Sequence, residues 1–317
     1  MTAAILLLAY SQKRTTLVRA GRRPPPRMVY RVTHVTSYDY SEPVSICHNE
    51  ARLTPRSTSH QHLLRSQLLV EPTVATHDRG TDYFGNAVHW FALQEAHTHL
   101  SVTAVSEVDV SPFVAPAAQL SDAWEHARDR IREERTPDML AARELTFESP
   151  HIRVDADLLA YAEASFPRGR PLLEAALDLT RRIHDEFQYE PGSTTVATPL
   201  REVLRARRGV CQDFAHLQIG MLRSLGLSAR YVSGYIYNRP AGAEPGLTGA
   251  DASHAWLGVY VPGFGYVDFD PTNGVIPSDE HVTLAWGRDF SDASPLKGVI
   301  LGGGQHLVKV AVDVARV

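Results

Sequence analysis

The sequence predicts an α+β protein, with an all-β, sandwich-like N-terminal region followed by helices packed on an antiparallel sheet. Three observations carry that prediction. Between residues 30 and 110, apolar residues alternate in short runs broken by Pro43, Pro55, Pro72 and the Gly85-Asn86 turn signal. Between residues 122 and 225 they recur at helical spacing. Between residues 229 and 270 alternation returns on both sides of Pro262-Gly263-Phe264-Gly265, a hairpin turn.

Residues 1–27 differ from the rest. The apolar run from Ala3 to Ala9 precedes Lys13, Arg14, Arg19, Arg22, Arg23 and Arg27, the reverse of a secretory signal's order, and Pro24-Pro25-Pro26 stops any helix. They read as a disordered extension, with Met28 as a candidate start. Strands are expected over 30–40, 46–53, 62–70, 88–93 and 100–110, the first with Val32, His34, Thr36 and Tyr38 on one face. Residues 112–119 read as a Pro/Ala-rich linker, followed by helices over 122–135, 158–166 and 172–187. The last of these puts Leu173, Leu177, Thr180, Ile183 and Phe187 near one face. Thr198-Pro199 reads as the N-cap and first residue of a helix closed by Gly209. A further helix starts at Cys211, carries Phe214, Leu217, Gly220, Met221 and Leu225 on one stripe, and is capped by Gly226. Strands follow over 229–237, 254–261 and 266–270, and residues 306–317 alternate as a closing strand. The expected division is an extension at 1–27, a β-rich domain at 28–112, a linker with a helix at 113–150, and a core at 151–317.

A chain of 317 residues, at roughly 150 per domain, has material for two domains. Its net charge of -4 supplies no basic field for nucleic acid, and it has no run of 18 apolar residues to span a membrane. Cys47 and Cys211 are its only cysteines, too few for a disulfide framework, and they fit a reducing, cytoplasmic compartment. Only Lys13, Lys297 and Lys309 offer side-chain amines. The pairs His60/His62 and His97/His99 share strand faces but lack a partner cysteine or carboxylate at metal-site spacing, so no metal is expected.

Cys211 carries the clearest chemical signal. It follows Gly209-Val210 at a helix N-terminus, where unpaired N–H groups and the positive end of the helix dipole stabilise an anion such as a thiolate. The same position also suits a small buried hydrophobe. A nucleophile needs a base. His216 lies about 140° around the same helix from Cys211 and points away. His254 opens a strand and is the better candidate. If Tyr260 pairs with Tyr266, His254 faces Thr272, and Asp270 is its same-face diagonal neighbour at about 7–8 Å. Asp268 is then two residues too far along, and Asp251 ranks third. A one-residue slip would put His254 and both aspartates on opposite faces.

The run from Gly209-Val210-Cys211-Gln212-Asp213-Phe214-Ala215-His216 to Arg223-Ser224-Leu225-Gly226-Leu227-Ser228-Ala229-Arg230-Tyr231 resembles the core of the bacterial transglutaminase-like family. Asp251-Ala252-Ser253-His254-Ala255-Trp256 and Phe269-Asp270-Pro271-Thr272-Asn273 are similar to its histidine and aspartate motifs, in the family's order. His34-Val35-Thr36-Ser37-Tyr38, Arg52-Leu53-Thr54-Pro55-Arg56 and Asp82-Tyr83-Phe84-Gly85-Asn86 resemble the β-rich N-terminal domain that accompanies this core in bacteria. Together these resemblances reach across nearly everything from Met28 onward.

The resemblance implies a papain-like core and acyl transfer through a thioester. Cys211 would attack a carboxamide or peptide carbonyl, His254 would move the proton, and Asp270 would fix the imidazole tautomer, with no metal or organic cofactor. Gln212 and Tyr189 stand as alternatives for a further oxyanion donor, and Asp213 reads as a first-turn residue favoured by the helix dipole. Tyr266 stands where a tryptophan is common in the family. The leading reading is a cysteine peptidase or amidase acting on a peptide or protein. A cross-linking acyltransferase and a non-catalytic scaffold on the same fold are the alternatives.

Overall fold

The computed structural model describes residues 27–237 and 253–317. The expectations for residues 1–26 and for Asp251 lie outside the described residues.

β1 (Met28–Ala51) is one 24-residue strand where the sequence pattern suggested two. Tyr30, Val32, His34 and Thr36 are buried, while Arg31 faces out, as alternation requires. β2 (Gln61–Glu71), β3 (Thr76–Thr81), β4 (Ala87–Leu93) and β5 (His97–Val110) follow. β3 was not expected. All six of its residues are exposed, so no apolar alternation marks it, and it forms by pairing with β4 from Thr76 opposite Ala92 to Thr81 opposite Ala87.

The middle of the chain supplies α1 (Trp124–Glu133), α2 (Pro137–Glu144), α3 (Ala156–Glu163), α4 (Leu172–Glu186), β6 (Gln188–Tyr189), α5 (Leu200–Ala206), β7 (Arg208–Gly209) and α6 (Cys211–Ser224). α2 lies in the expected linker. Its Thr136-Pro137 start is the N-cap signal that the sequence reading assigned to Thr198-Pro199, and Thr136 Oγ1 accepts from the Met139 N–H at 3.4 Å. At α5 the cap is Pro199 itself, because Thr198 Oγ1 is engaged by the Thr195 N–H at 2.9 Å. Nor does Gly209 close α5. Arg207 does, at φ 54°, with its guanidinium 4.7 Å from both the Tyr161 and Phe187 rings. Those contacts offset the left-handed backbone of a non-glycine residue.

The second sheet has the order β10-β9-β8-β11, from β8 (Ala229–Ile236), β9 (Ser253–Val261), β10 (Gly265–Phe269) and β11 (His281–Gly287). Ala255, Leu257, Val259 and Val261 pack with the apolar faces of α3, α4, α5 and α6. Tyr235, Val282 and Leu284 instead join the core of the first sheet. The second sheet is therefore covered on both faces. His34 sits at that junction, with Nδ1 3.1 Å from the Tyr235 hydroxyl, and burial lowers its pKa to about 4. On α6, buried Arg223 donates to the carbonyls of Leu145, Ala229 and Arg288 and to Ser149 Oγ, tying the helix to three other segments.

After α7 (Phe290–Ala293), β12 (Leu296–Gly302) and β13 (His306–Arg316) run back along β1. The expected closing strand forms, but it does not belong to the core at 151–317. β12 pairs with Val44 to Ala51 and β13 with Tyr30 to Tyr40, while β5 and β4 occupy the other side of β1. A strand this long leaves two rows of backbone groups to satisfy, and the C-terminus supplies one partner. Removing residues 306–317 should strip the edge of β1 and expose core residues around Val312 and Val314, costing at least about 3 kcal/mol from the two valines alone. A thermal melt checks this. An unchanged midpoint would show that β13 is dispensable.

Candidate active site

The chain enters α6 through β7, where Gly209 pairs in parallel with Tyr189. Val210 is the extended N-cap, and Cys211, Gln212 and Asp213 form the first turn. Asp213 Oδ2 accepts from the Val210 N–H at 2.8 Å and from Thr194 Oγ1 at 2.5 Å. Burial raises its pKa against the pull of those two bonds. Its work is thus to cap the helix, beyond favouring the dipole. A Cβ on Gly209 would lie 2.8 Å from Asp213 Oδ2, so this cap needs glycine two residues before the cysteine. The N–H groups of Cys211 and Gln212 open the helix and have no carbonyl partner within it. Tyr189 is half-exposed beside this entry, its ring 6.5 Å from that of Phe214.

The hairpin has the register the sequence predicted, with Tyr260 opposite Tyr266. His254 Nε2 lies 2.8 Å from Asp270 Oδ2, and Cys211 is near enough to the same imidazole to raise its pKa. With Nε2 on the carboxylate, Nδ1 is the nitrogen left for the thiol. Burial lowers the His254 pKa, but Asp270 and Cys211 raise it further, to about 10.

Asp270 has no exposed surface. Oδ1 accepts from the Thr272 and Asn273 N–H groups at 2.9 and 3.2 Å. Oδ2 meets His254 Nε2, Asn273 Nδ2 at 2.6 Å and His281 Nε2 at 3.0 Å. Burial pushes its pKa up, but the hydrogen bonds from His254 and His281 outweigh that and hold the carboxyl well below the usual range.

The other sequence candidates are placed elsewhere. His216 Nε2 accepts the Phe290 N–H at 3.1 Å, and burial lowers its pKa to about 3, so it is a neutral packing residue. Asp268 does not touch His254. It accepts the Trp256 indole N–H at 3.0 Å and faces Arg230 at 3.6 Å.

His281 and Asn273 were missed as site residues. Asn273 was quoted only inside the aspartate motif. His281 begins β11, a strand the sequence reading did not assign. The available signal was Gly234 in β8, since an isolated strand glycine marks a close approach. A Cβ there would lie 2.4 Å from the Trp256 ring, which crosses to meet His281 at 5.2 Å between centroids. Among the described residues, ligand atoms of His254, Asp270 and His281 lie within 4.8 Å of one another. A metal there would have to displace the protons of their hydrogen bonds. The pairs His60/His62 and His97/His99 are not in this group.

The bacterial transglutaminase-like N-terminal region matches residues 30–109, and the transglutaminase-like superfamily core matches residues 161–271. An uncharacterized protein of Mycobacterium bovis is 38% identical over 296 residues, covering 90% of this chain and 92% of its own. The chain belongs to the transglutaminase-like superfamily. A structure from Cytophaga hutchinsonii, described as a proposed cysteine protease, matches at a TM-score of 0.71 and 23% identity, covering 92% of this chain and 91% of that one. At that identity the likeness is one of fold. A protein-glutamine gamma-glutamyltransferase of Pseudomonas aeruginosa is 32% identical over 133 residues, which is 41% of this chain and 19% of that protein. Within this superfamily member, among the described residues, no helix is long and apolar enough to cross a membrane.

The two thiols differ in setting. Cys47 is fully buried beside Asn49, whereas Cys211 is partly exposed at the helix start. Iodoacetamide at pH 6 should label Cys211 and spare Cys47 in the folded protein, as read by peptide mapping. Equal labelling, or preference for Cys47, would contradict the arrangement.

Proposed function

We propose that this chain is a cysteine enzyme that transfers acyl groups through a thioester on Cys211, with hydrolysis of peptide or amide bonds as its reaction. One observation carries the reading: His254 Nε2 lies 2.8 Å from a buried, ionised Asp270, and the same imidazole feels Cys211 at the start of α6. The Cys211 thiolate attacks the carbonyl carbon, and the carbonyl electron pair moves to oxygen. The N–H groups of Cys211 and Gln212 at the start of α6 are candidate donors to that oxyanion, and the Tyr189 hydroxyl is another. His254 then gives its Nδ1 proton to the leaving amine, and the C–N bond breaks. Water attacks the thioester next, losing a proton to His254 as the thiolate departs. Asp270 holds the Nε2–H tautomer throughout.

The similarity to the Pseudomonas aeruginosa segment favours a second reading, in which an amine replaces water and an isopeptide bond forms. Free Cys47 and Cys211 support a cytoplasmic, reducing setting for either reaction.

Peptide libraries incubated with and without a labelled primary amine separate the outcomes by mass. Cleaved or deamidated peptides support hydrolysis, amine incorporation supports the second reading, and Cys211→Ala should abolish either. No product at all would favour the scaffold alternative, and product that persists in Cys211→Ala would overturn the thioester on Cys211.

Asp270→Asn should lower turnover about 10³–10⁴-fold, because an amide favours the wrong imidazole tautomer. Asp268→Asn should instead lower stability by only about 1 kcal/mol, by weakening the partly exposed ion pair to Arg230, with turnover per folded molecule near wild type. Equal losses of turnover in both variants would contradict the assignment.

A further inference from the structure

We propose that His281 is a positioning residue that holds the Asp270 carboxylate toward His254. This rests on the acyl-transfer reading above, and it concerns a residue outside the Cys211, His254 and Asp270 set.

The hydrogen-bond inventory fixes what His281 does. Asp270 is ionised and has no proton to give, so the nitrogens that meet Oδ2 must both donate. His254 and His281 therefore both present Nε2–H to one oxygen, at 2.8 and 3.0 Å. Its Nδ1 is buried with no hydrogen-bond partner. A histidine kept only to fill space would leave that buried polar atom unsatisfied for no return. The return here is the bond to Asp270.

Topology explains what the His281 bond adds to the four others that Asp270 accepts. Asp270 directly follows β10, an edge strand, and its backbone is held by an isolated bridge to Val275. His254 lies on the neighbouring β9, whereas His281 lies on β11, the opposite edge. The His281 bond thus ties a strand-end residue across the sheet. The His281 ring is itself held edge-on by Trp256, whose indole N–H is anchored on Asp268. With donors on both flanks, Oδ2 cannot rotate away when His254 gives up or regains its Nδ1 proton.

The test uses the full chain with His281→Phe, which removes the donor, and His281→Gln, whose amide nitrogen can reach near the imidazole Nε2 position. Downfield proton NMR should show two imidazole N–H resonances in the wild type, assigned with His254→Ala. In His281→Phe one should vanish and the His254 signal should shift. The rate of Cys211 alkylation by iodoacetamide should fall about 10-fold or more in His281→Phe, in the range seen when an outer partner of a reacting group is lost, and recover to within about 3-fold in His281→Gln. A single downfield resonance in the wild type, an unmoved His254 signal, or no recovery in His281→Gln would overturn the proposal. The resonances require no turnover. A failure of the acyl-transfer reading, seen as product that persists in Cys211→Ala, is therefore distinguishable from a failure of this one.

Discussion

The site depends on an aspartate that stays ionised with no contact to water. Removing Asp270 from solvent is unfavourable, and five hydrogen bonds compensate for it, two from backbone N–H groups and three from side chains. The donors come from three separately positioned features: the turn after β10, the start of β9 and the start of β11. The hairpin register, the close approach over Gly234 and the seating of Trp256 converge on this carboxylate. The raised His254 pKa follows from it, since burial alone would lower that pKa.

The scaffold gives this arrangement its rigidity through two closures. α6 brings Cys211 to the end of the second sheet, and buried Arg223 ties that helix to three other segments. The first sheet covers the opposite face and is itself closed by the C-terminal strands along β1. The first strand thus meets the second sheet across a long stretch of sequence, as the bond between His34 and Tyr235, 201 residues apart, illustrates. The thioester proposal requires this stiffness, because thiol, imidazole and carboxylate come from three different elements.

The sequence made much of this legible where local chemistry carried the signal. Alternation marked both halves of the first strand though not their union, and Gly226 ended α6 where expected. The four-residue turn fixed the register that pairs His254 with Asp270 and excludes Asp268. What stayed hidden depends on contacts remote in sequence. β3 is polar on every residue and forms only on β4. The end of α5 at Arg207 is set by the Tyr161 and Phe187 rings. His281 meets Asp270 only once β11 lies beside β8, and the alternation of residues 306–317 does not reveal which sheet accepts them.

The central claim is that Cys211 carries an acyl group during the reaction, and a trapped intermediate tests it most directly. An activated ester substrate, quenched in acid within one turnover, should add the mass of its acyl group to the peptide containing Cys211. Hydroxylamine should release that mass, and His254→Ala should accumulate far less of it. An adduct on another residue, or an equal adduct in Cys211→Ala, would contradict the account.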